Sequence, residues 1–350
     1  MKLKNILSVL CFLFVAAACS MEDDILNDAG KEIQNQDTNR EAILSFNLDA
    51  NALLTKATVN ATGDKELKLN NCVLALMQGN DVLSVRTSND IAETGKVNGV
   101  TFLTKVKSGL SVIAIVNVAD PAAYLGAATR SDLNKEVVID PNGTECLVKQ
   151  GEKLIEFPAG FGSSSTAQTE ENTLSVTIKV SQLAAKIQLS EFNIRYATGI
   201  QKKKTVTLTS VSFDNINKKS HVFNESALLK DSKTFEMNRS LAEGENSIGS
   251  SIYSYANTNA SSPVKMTLTF RIDEVGSMQA ETVTKTYVIN KSNDNTTFEG
   301  EGSNNYVNSG YLYRVNVNMT VNTHVVDTDV ICYTQDWEHD EVSVDMSEIK

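Results

Sequence analysis

Side chains that could carry out chemistry are few in this chain, and they lie far apart. The three histidines, His221, His324 and His339, are not spaced like zinc ligands, either from one another or from a cysteine. Residues 160–163, GFGS, lack the G-x-S-x-G pattern of a nucleophile elbow, and no glycine-rich phosphate loop opens a predicted helix. The run WEHDE at 337–341 is more typical of an exposed turn than of a metal site. We therefore predict no enzyme activity, no metal and no cofactor.

Cys19 is the residue whose surroundings indicate a modification. Lys2 and Lys4 precede an apolar run at residues 6–15, which is shorter than the roughly 20 residues that span a bilayer. Three alanines then lead into Cys19, an order that resembles the processing site of a bacterial lipoprotein. We predict a lipoprotein signal peptide over residues 1–19 that ends at a lipidated Cys19, with palmitate among its acyl chains. The alternative is an ordinary signal peptide with a chance cysteine.

The charge of the chain and the acidic stretch after Cys19 bear on its location. Residues 20–24, SMEDD, resemble the tag that directs lipoproteins of the Bacteroides group to the cell surface, although a solvated linker would look similar. The formal net charge is −11, which does not suit binding to nucleic acid or to anionic lipid. We predict a surface-exposed position on the outer membrane and no nucleic-acid partner.

The three cysteines outside the leader, Cys72, Cys146 and Cys332, are widely spaced along the chain. Their number and spacing match neither a disulfide framework nor a zinc site. We interpret them as small buried apolar side chains. A Cys72–Cys146 disulfide remains an alternative.

The periodic signal along the chain is that of β-strands. Residues 205–209 alternate polar with apolar side chains, as strands do when one face lies in a core and the other in water. Residues 111–116 are almost continuously apolar, as in a central strand. Helical pattern is limited to residues 121–134, and the basic run 202–204 is expected in a hairpin turn. The chain is predicted to be all-β, with two sandwiches that meet near residues 160–166.

Two segments near the ends of the chain also alternate. The first follows an acidic, polar stretch, precedes the pair Lys56-Ala57, and carries three apolar residues on one side: Leu44, Phe46 and Leu48. The second lies at the C-terminal end and has three apolar residues at alternate positions: Val342, Val344 and Met346.

Four stretches, taken in their order, resemble the Bacteroidales fimbrillins, which are the subunits of type V pili. The stretches are TKA at 55–57 followed by CVLALM at 72–77, LSVTIKVSQLAAKI at 174–187, IYSYAN at 252–257, and residues 305–321 with Trp337 ahead of a final strand. The resemblance implies two transthyretin-like antiparallel β-sandwich domains. It implies a linker and removable N-terminal strand over residues 20–56, an N-terminal sandwich over 57–162, and a C-terminal sandwich with a donor strand over 163–350.

The resemblance also implies a mode of assembly. A protease cuts after a basic residue and releases the N-terminal strand, and the vacated groove then accepts the C-terminal strand of a neighbouring subunit. The removed strand would carry Leu44, Phe46 and Leu48. The donated strand would carry Val342, Val344 and Met346.

The site of the cut is the point at which this sequence departs from the family. The family's protease usually cuts after Arg, whereas the predicted cut here lies between Lys56 and Ala57. Arg40 is the less favoured site, because a cut there would leave the strand in place. A chain left uncut at Lys56 would be an anchor-like subunit, and a permanent edge strand followed by a loop lysine is a further alternative.

The expected function is that of a structural subunit of a surface fimbrium that supports adhesion. The expected partners are other pilin subunits, in a homopolymer or a heteropolymer, a processing protease, and the outer membrane through the lipid anchor before processing. The alternative function is that of a surface lipoprotein that binds glycans for uptake. Exposed aromatic residues on one face of a sandwich would favour that alternative.

Overall fold

Alternating apolar and polar residues give the chain the all-β architecture that the sequence predicts. The computed structural model describes residues 40–50, 66–140, 147–163, 168–200, 203–223, 230–290 and 306–322, and the backbone alone of 298–299 and 326–336. The helical segments are a 3-10 turn at Pro121–Tyr124 and α1 at Arg130–Leu133. The strands are β1 Glu41–Asp49, β2 Cys72–Gln78, β3 Asp81–Ser88, β4 Lys96–Lys105, β5 Leu110–Val116, β6 Glu136–Val138, β7 Lys149–Leu154, β8 Thr173–Lys179, β9 Ser181–Gln182, β10 Ala184–Tyr196, β11 Lys204–Asn217, β12 Lys219–His221, β13 Lys230–Leu241, β14 Gly244–Tyr255, β15 Lys265–Glu274, β16 Glu281–Val288, β17 Phe298–Glu299, β18 Tyr311–Val321 and β19 Val326–Asp336.

Two sheets share a first core, and β1 belongs to one of them. A three-stranded sheet has the order β4-β1-β8, and a five-stranded sheet has the order β3-β2-β5-β7-β9. Cys72 belongs to the first core as a buried thiol, and its burial raises the pKa of the thiol to about 12. Cys146 and the side chain of Cys332 lie outside the described residues. The first core includes Leu44, Phe46, Leu48, Leu74, Phe102, Val112 and Ile178.

The centre of the five-stranded sheet is buried on both faces. Every residue of β2 except Gln78 is buried, and every residue of β5 except Ser111. The continuous apolar runs in these strands follow from this double burial. Odd-numbered residues of both strands face a second core, to which residues beyond 183 also contribute. The second core includes Val73, Ile113, Ile115, Leu133, Ala184, Tyr253 and Tyr255.

The C-terminal strands form a nine-stranded sheet around a third core. Its order is β16-β15-β11-β14-β10-β18-β19-β17, and β13 pairs with β11. β11 and β14 are joined at a single pair, Asn217 with Tyr255, so the sheet divides there into two halves. Phe192 of β10 contacts Phe270 of β15 edge to face at 5.6 Å, which means that the halves pack against each other.

Two local predictions are wrong. Residues 121–134 do not form one helix, because Thr129 and Asp132 form a capping box that begins a separate turn. The basic run 202–204 does not close a hairpin, since the strands that flank it, β10 and β11, are not paired with each other in the described sheets. Lys204 begins β11 and is buried, and its Nζ donates to the carbonyl of Asn322 at 3.4 Å.

Candidate functional site

Strand β1 lies between two strands that come from later parts of the chain. It pairs antiparallel with β4, with Leu44 opposite Phe102, and parallel with β8, with Phe46 opposite Val176. Its backbone is therefore hydrogen-bonded along both edges. β8, at residues 173–179, joins this sheet although it lies beyond the predicted boundary after residue 162. We call the channel between β4 and β8 that β1 fills the β1 slot.

The side chains of β1 divide between the core and the outer face as the alternation predicts. Leu44, Phe46 and Leu48 are buried, with exposed fractions of 0%, 1% and 2%. The ring of Phe46 meets that of Phe102 edge to face, with centroids 5.3 Å apart and planes at 74°. Asn47 lies on the outer face, where its Nδ2 donates to Ser175 Oγ at 3.0 Å.

The start of β1 is held by residues 160–163. Glu41 and Ser163 exchange two backbone hydrogen bonds, of 2.8 and 3.1 Å. Arg40 Nη1 donates to the carbonyl of Gly160 at 2.6 Å. Gly162 has φ +96°, and a Cβ there would lie 2.7 Å from Val106 Cγ2. The same Cβ would lie 3.0 Å from the carbonyl oxygen of Glu41, and the positive φ favours glycine, so a glycine packs against the first end of the slot.

The end of β1 is held in the same way. Leu48 donates its N–H to the carbonyl of Gly95 at 2.8 Å, and Val180 donates its N–H to the carbonyl of Asp49 at 3.0 Å. Gly95 has φ +84°, and a Cβ on it would lie 1.9 Å from the carbonyl oxygen of Leu48. The slot therefore has a defined length, and glycines in contact with β1 mark both of its ends.

Withdrawal of β1 would change the site from a filled sheet to an open one. Its neighbours would lose hydrogen-bond partners on two facing edges, and the apolar trough beneath Phe46 would meet water. Unpaired strand edges of this kind bind another extended segment readily. The arrangement can therefore receive a strand.

Glu66 and Lys68, which precede β2, are held by contacts with distant segments. Glu66 Oε1 accepts hydrogen bonds from Lys186 Nζ at 2.5 Å and from Tyr253 Oη at 2.7 Å. The carbonyl of Lys68 accepts a hydrogen bond from Asn117 Nδ2 at 2.8 Å. The segment that includes Lys56 is thus bounded by the slot on one side and by these contacts on the other.

A polar cleft of about 410 Å³ lies between segments from both halves of the chain. Arg130 makes a two-pronged ion pair with Glu152, at 3.0 and 2.9 Å, which holds the pKa of that carboxyl below its usual range. The guanidinium of Arg130 also lies 4.8 Å from the ring centroid of Phe223. No sequence pattern indicates this cleft, because its lining comes from distant segments. It is lined by Arg130, Gln150, Glu152, Leu183, Ser220, His221, Val222, Phe223 and Ser309.

Solved structures of other proteins share the fold of this chain. No protein-family model and no curated protein matches the chain. A fimbrilin from Porphyromonas gingivalis W83 superposes with a TM-score of 0.58 at 14% identity, over 85% of this chain and 98% of that chain. A putative cell adhesion protein from Parabacteroides distasonis ATCC 8503 superposes with a TM-score of 0.55 at 10% identity, over 85% and 99%.

This chain has the fimbrilin fold. At these identities the similarity is one of fold alone. The predicted resemblance to the fimbrillins is confirmed at that level, and the number and limits of the domains stay predictions.

Within the fimbrilin fold, the described residues include four of the predicted site residues. Leu44, Phe46 and Leu48 lie in the β1 slot, and Arg40 lies at its entrance. The other predicted residues lie outside the described residues, so their roles stay predictions. They are Cys19, Lys56, Ala57, Val342, Val344 and Met346.

The described part of the fimbrilin fold also bears on other kinds of site. Its His, Cys, Asp and Glu side chains form no group of three that could hold a metal ion. None of its helices has the length and apolar character to cross a membrane. Tyr253 and Tyr255 of the stretch IYSYAN could stack on a sugar only if they were exposed, but they are buried, with exposed fractions of 8% and 1%.

Proposed function

We propose that this chain is a structural subunit of a surface fimbrium and that it joins its neighbours through the β1 slot. The observation that carries the proposal is the position of β1, which is an N-terminal strand inserted between two later strands and bonded along both edges. Solved structures with the same fold include a fimbrilin and cell adhesion proteins, which supports the same assignment.

Assembly begins with export and anchoring at the outer membrane through Cys19. A protease then cuts between Lys56 and Ala57. The cut separates β1, together with the lipid, from the chain that begins at Ala57. The interactions of Glu66 with Lys186 and Tyr253 do not involve β1, so they hold the chain at Glu66 while β1 leaves.

The vacated slot accepts the C-terminal strand of a second subunit. Full burial of a large apolar side chain contributes roughly 1.5–3 kcal/mol, and the slot offers three such positions. This chain in turn donates Val342, Val344 and Met346 to the slot of a neighbouring subunit. A cut after Arg40 instead would leave β1 in the slot and so prevent this exchange.

The test is to determine the N-terminus of the protein recovered from sheared surface filaments, by mass spectrometry. We expect a start at Ala57 in the wild type and no incorporation of Lys56→Gln, with Arg40→Gln as the matched control that assembles normally. Lipidated Cys19 on all cell-associated protein, with none of the protein in filaments, would contradict a stalk role and leave an anchor or an unrelated lipoprotein.

A second candidate is a surface lipoprotein that binds glycans, and the polar cleft is the observation that favours it. Gln150, His221 and Ser309 line the cleft, and no described residue hydrogen-bonds their side chains. Titration with soluble oligosaccharides tests this candidate. Binding that is lost in Gln150→Ala and His221→Ala, but kept in the exposed-turn control Gln279→Ala, would support it.

A further inference from the structure

We infer that the β1 slot selects a donor strand with an aromatic side chain at its central inward position, so that the preferred donor is a different subunit rather than a second copy of this chain. The inference rests on the proposed function, and it adds the kind of partner that the slot fits. Its basis is the environment of Phe46.

Phe46 fills the position of the slot at which the walls differ most from a regular sheet. On the β8 side it lies opposite Val176 in an unbroken parallel register. On the β4 side the register passes from Ser45 opposite Thr101 to Asn47 opposite Lys96. Four residues of β4, 97–100, therefore stand opposite the single residue Phe46.

This irregularity is a bulge, and a bulge bends the strand that carries it. Gly99 within it has φ +69°, and both Val97 and Val100 are buried in the first core. Val97 and Val100 of this bulge pack in the same core as Phe46, so the bulge contributes to the surroundings of the ring. The ring of Phe46 supplies that group and is only 1% exposed.

The β4 side of the slot also matches an aromatic group. Phe102 is buried, and its ring meets that of Phe46 edge to face at 5.3 Å. Such pairs are favourable beyond the area they bury, because the positive edge of one ring meets the negative face of the other. A donor without a ring at this position would lose the contact and leave a void.

The C-terminal end of this chain does not supply a ring there. If Val342 and Met346 take the places of Leu44 and Leu48, Val344 takes the place of Phe46. A valine has too few carbons to fill the space of a benzyl group. The chain's own donor strand therefore fits the ends of the slot better than its centre.

Within residues 337–350, no shift in register corrects this mismatch. Trp337 is the single aromatic residue among residues 337–350, and it directly follows β19, which ends at Asp336. Five residues of β1 precede Phe46, so Trp337 at that position would require residues 332–336 in the slot as well. Those residues pair with β18 within their own subunit.

The slot therefore fits a partner strand with small, aliphatic, aromatic and aliphatic residues at alternate inward positions. Ala42, Leu44, Phe46 and Leu48 are the present example, and all four are at most 2% exposed. The outer positions, such as Ser45 and Asn47, take small polar residues.

The test uses the full chain with an engineered protease site directly after Lys56. After the cut, β1 stays in the slot without a covalent link and is labelled with a fluorophore. Unlabelled peptides that correspond to residues 41–49 are then added, with the complex unfolded and refolded in the presence of excess peptide if exchange is slow. The protein is the same throughout, so peptide variants cannot fail through misfolding of the subunit.

We expect the Phe46→Val peptide to compete about 30-fold less well than the native peptide, because a void replaces the ring. Phe46→Leu, which keeps more of the volume without the ring, should be intermediate. Leu44→Val, which removes a single methylene group at a neighbouring inward position, is the matched control. It should change competition by no more than about threefold. A Phe46→Val peptide that competes as well as the native one would overturn the inference.

A second series tests the donor itself, with peptides that correspond to residues 339–347. The Val344→Phe peptide should compete about tenfold better than the wild-type sequence, whereas Val342→Leu should gain little. Equal competition by the wild-type and Val344→Phe peptides would also contradict the inference. If the native 41–49 peptide never re-enters the slot, strand exchange itself fails, and with it the proposed function.

Discussion

Tyr253 donates its hydroxyl to the carboxylate of Glu66 at 2.7 Å, which ties a residue just past the predicted cleavage segment to strand β14. Lys186 of β10 donates to the same oxygen, and the pair of charges is mostly shielded from solvent, with side-chain exposures of 19% and 16%. Residues that face the second core thus fix the chain immediately before β2. These hydrogen bonds do not involve β1, so a release of β1 would leave them in place.

We expect Glu66→Gln to weaken this attachment. Loss of the charge removes the ion pair with Lys186 and weakens the bond from Tyr253, which should cost about 1–3 kcal/mol of unfolding free energy. Urea denaturation followed by circular dichroism measures the change. Glu93→Gln, at an exposed turn residue, is the matched control, and an equal loss in both variants would contradict the role assigned to Glu66.

Phe46→Ala tests the packing of the β1 slot in the uncut chain. Removal of a buried ring costs about 3–5 kcal/mol, and the lost contact with Phe102 places this substitution near the upper end. Chemical denaturation gives the value directly. The exposed residue Thr177 on the neighbouring strand supplies the control, since Thr177→Ala should change stability by no more than about 0.5 kcal/mol. A similar small effect at Phe46 would mean that the ring is not part of a tight core.

Gly95→Ala tests the closed end of the slot. An added methyl group would lie 1.9 Å from the carbonyl oxygen of Leu48, so β1 and the turn at Gly95 must separate. Gly99→Ala is the matched control, because Gly99 also has a positive φ but has no other atom within 4 Å of the added Cβ. The control should lose about 1–2 kcal/mol through backbone strain alone.

The difference in unfolding free energy between these two glycine variants measures the contact between Gly95 and the carbonyl oxygen of Leu48. Gly95→Ala should lose at least about 2 kcal/mol more than Gly99→Ala, since the clash is with backbone rather than with a flexible side chain. Thermal unfolding of the two variants side by side provides the comparison. Equal losses would show that β1 does not approach Gly95 closely in solution.

Cys72 should be inert to thiol reagents in the folded chain. Burial raises the pKa of this thiol from 9.0 to about 12, so the reactive thiolate is scarce at pH 8 and shielded as well. Because the folded pKa is the higher one, this thiol also contributes stability that is complete below about pH 9 and lost as the pH rises to about 12. Alkylation followed by peptide mapping, with the urea-unfolded chain as control, should label Cys72 only after unfolding.

Strand β1 could be predicted from sequence because the side chains of a half-buried strand alternate between apolar and polar with a period of two residues. Leu44, Phe46 and Leu48 appear as an alternating set in the sequence and as a buried set in the structure. β5 could be predicted as a central strand for a related reason, since its apolar run has no polar face. Patterns of this kind depend only on neighbouring residues.

The partners of β1 could not be predicted in the same way. β8 lies more than a hundred residues further along the chain, and β4 meets β1 through a bulge at Gly99. Gly95 and Gly162 close the slot by approaches that depend on how three distant segments meet. The separation of residues 121–134 into two turns depends on a capping box, which the helical periodicity of that segment does not reveal.

The parallel pairing of β1 with β8 has a mechanical consequence. Hydrogen bonds between strands run across the strand direction, and here they line both edges of β1. A pull along the axis of any strand in this position loads both ladders in shear, and all of their bonds resist together rather than opening one after another. A filament linked through such joints would resist traction by fluid flow better than one whose joints could be peeled from an exposed edge.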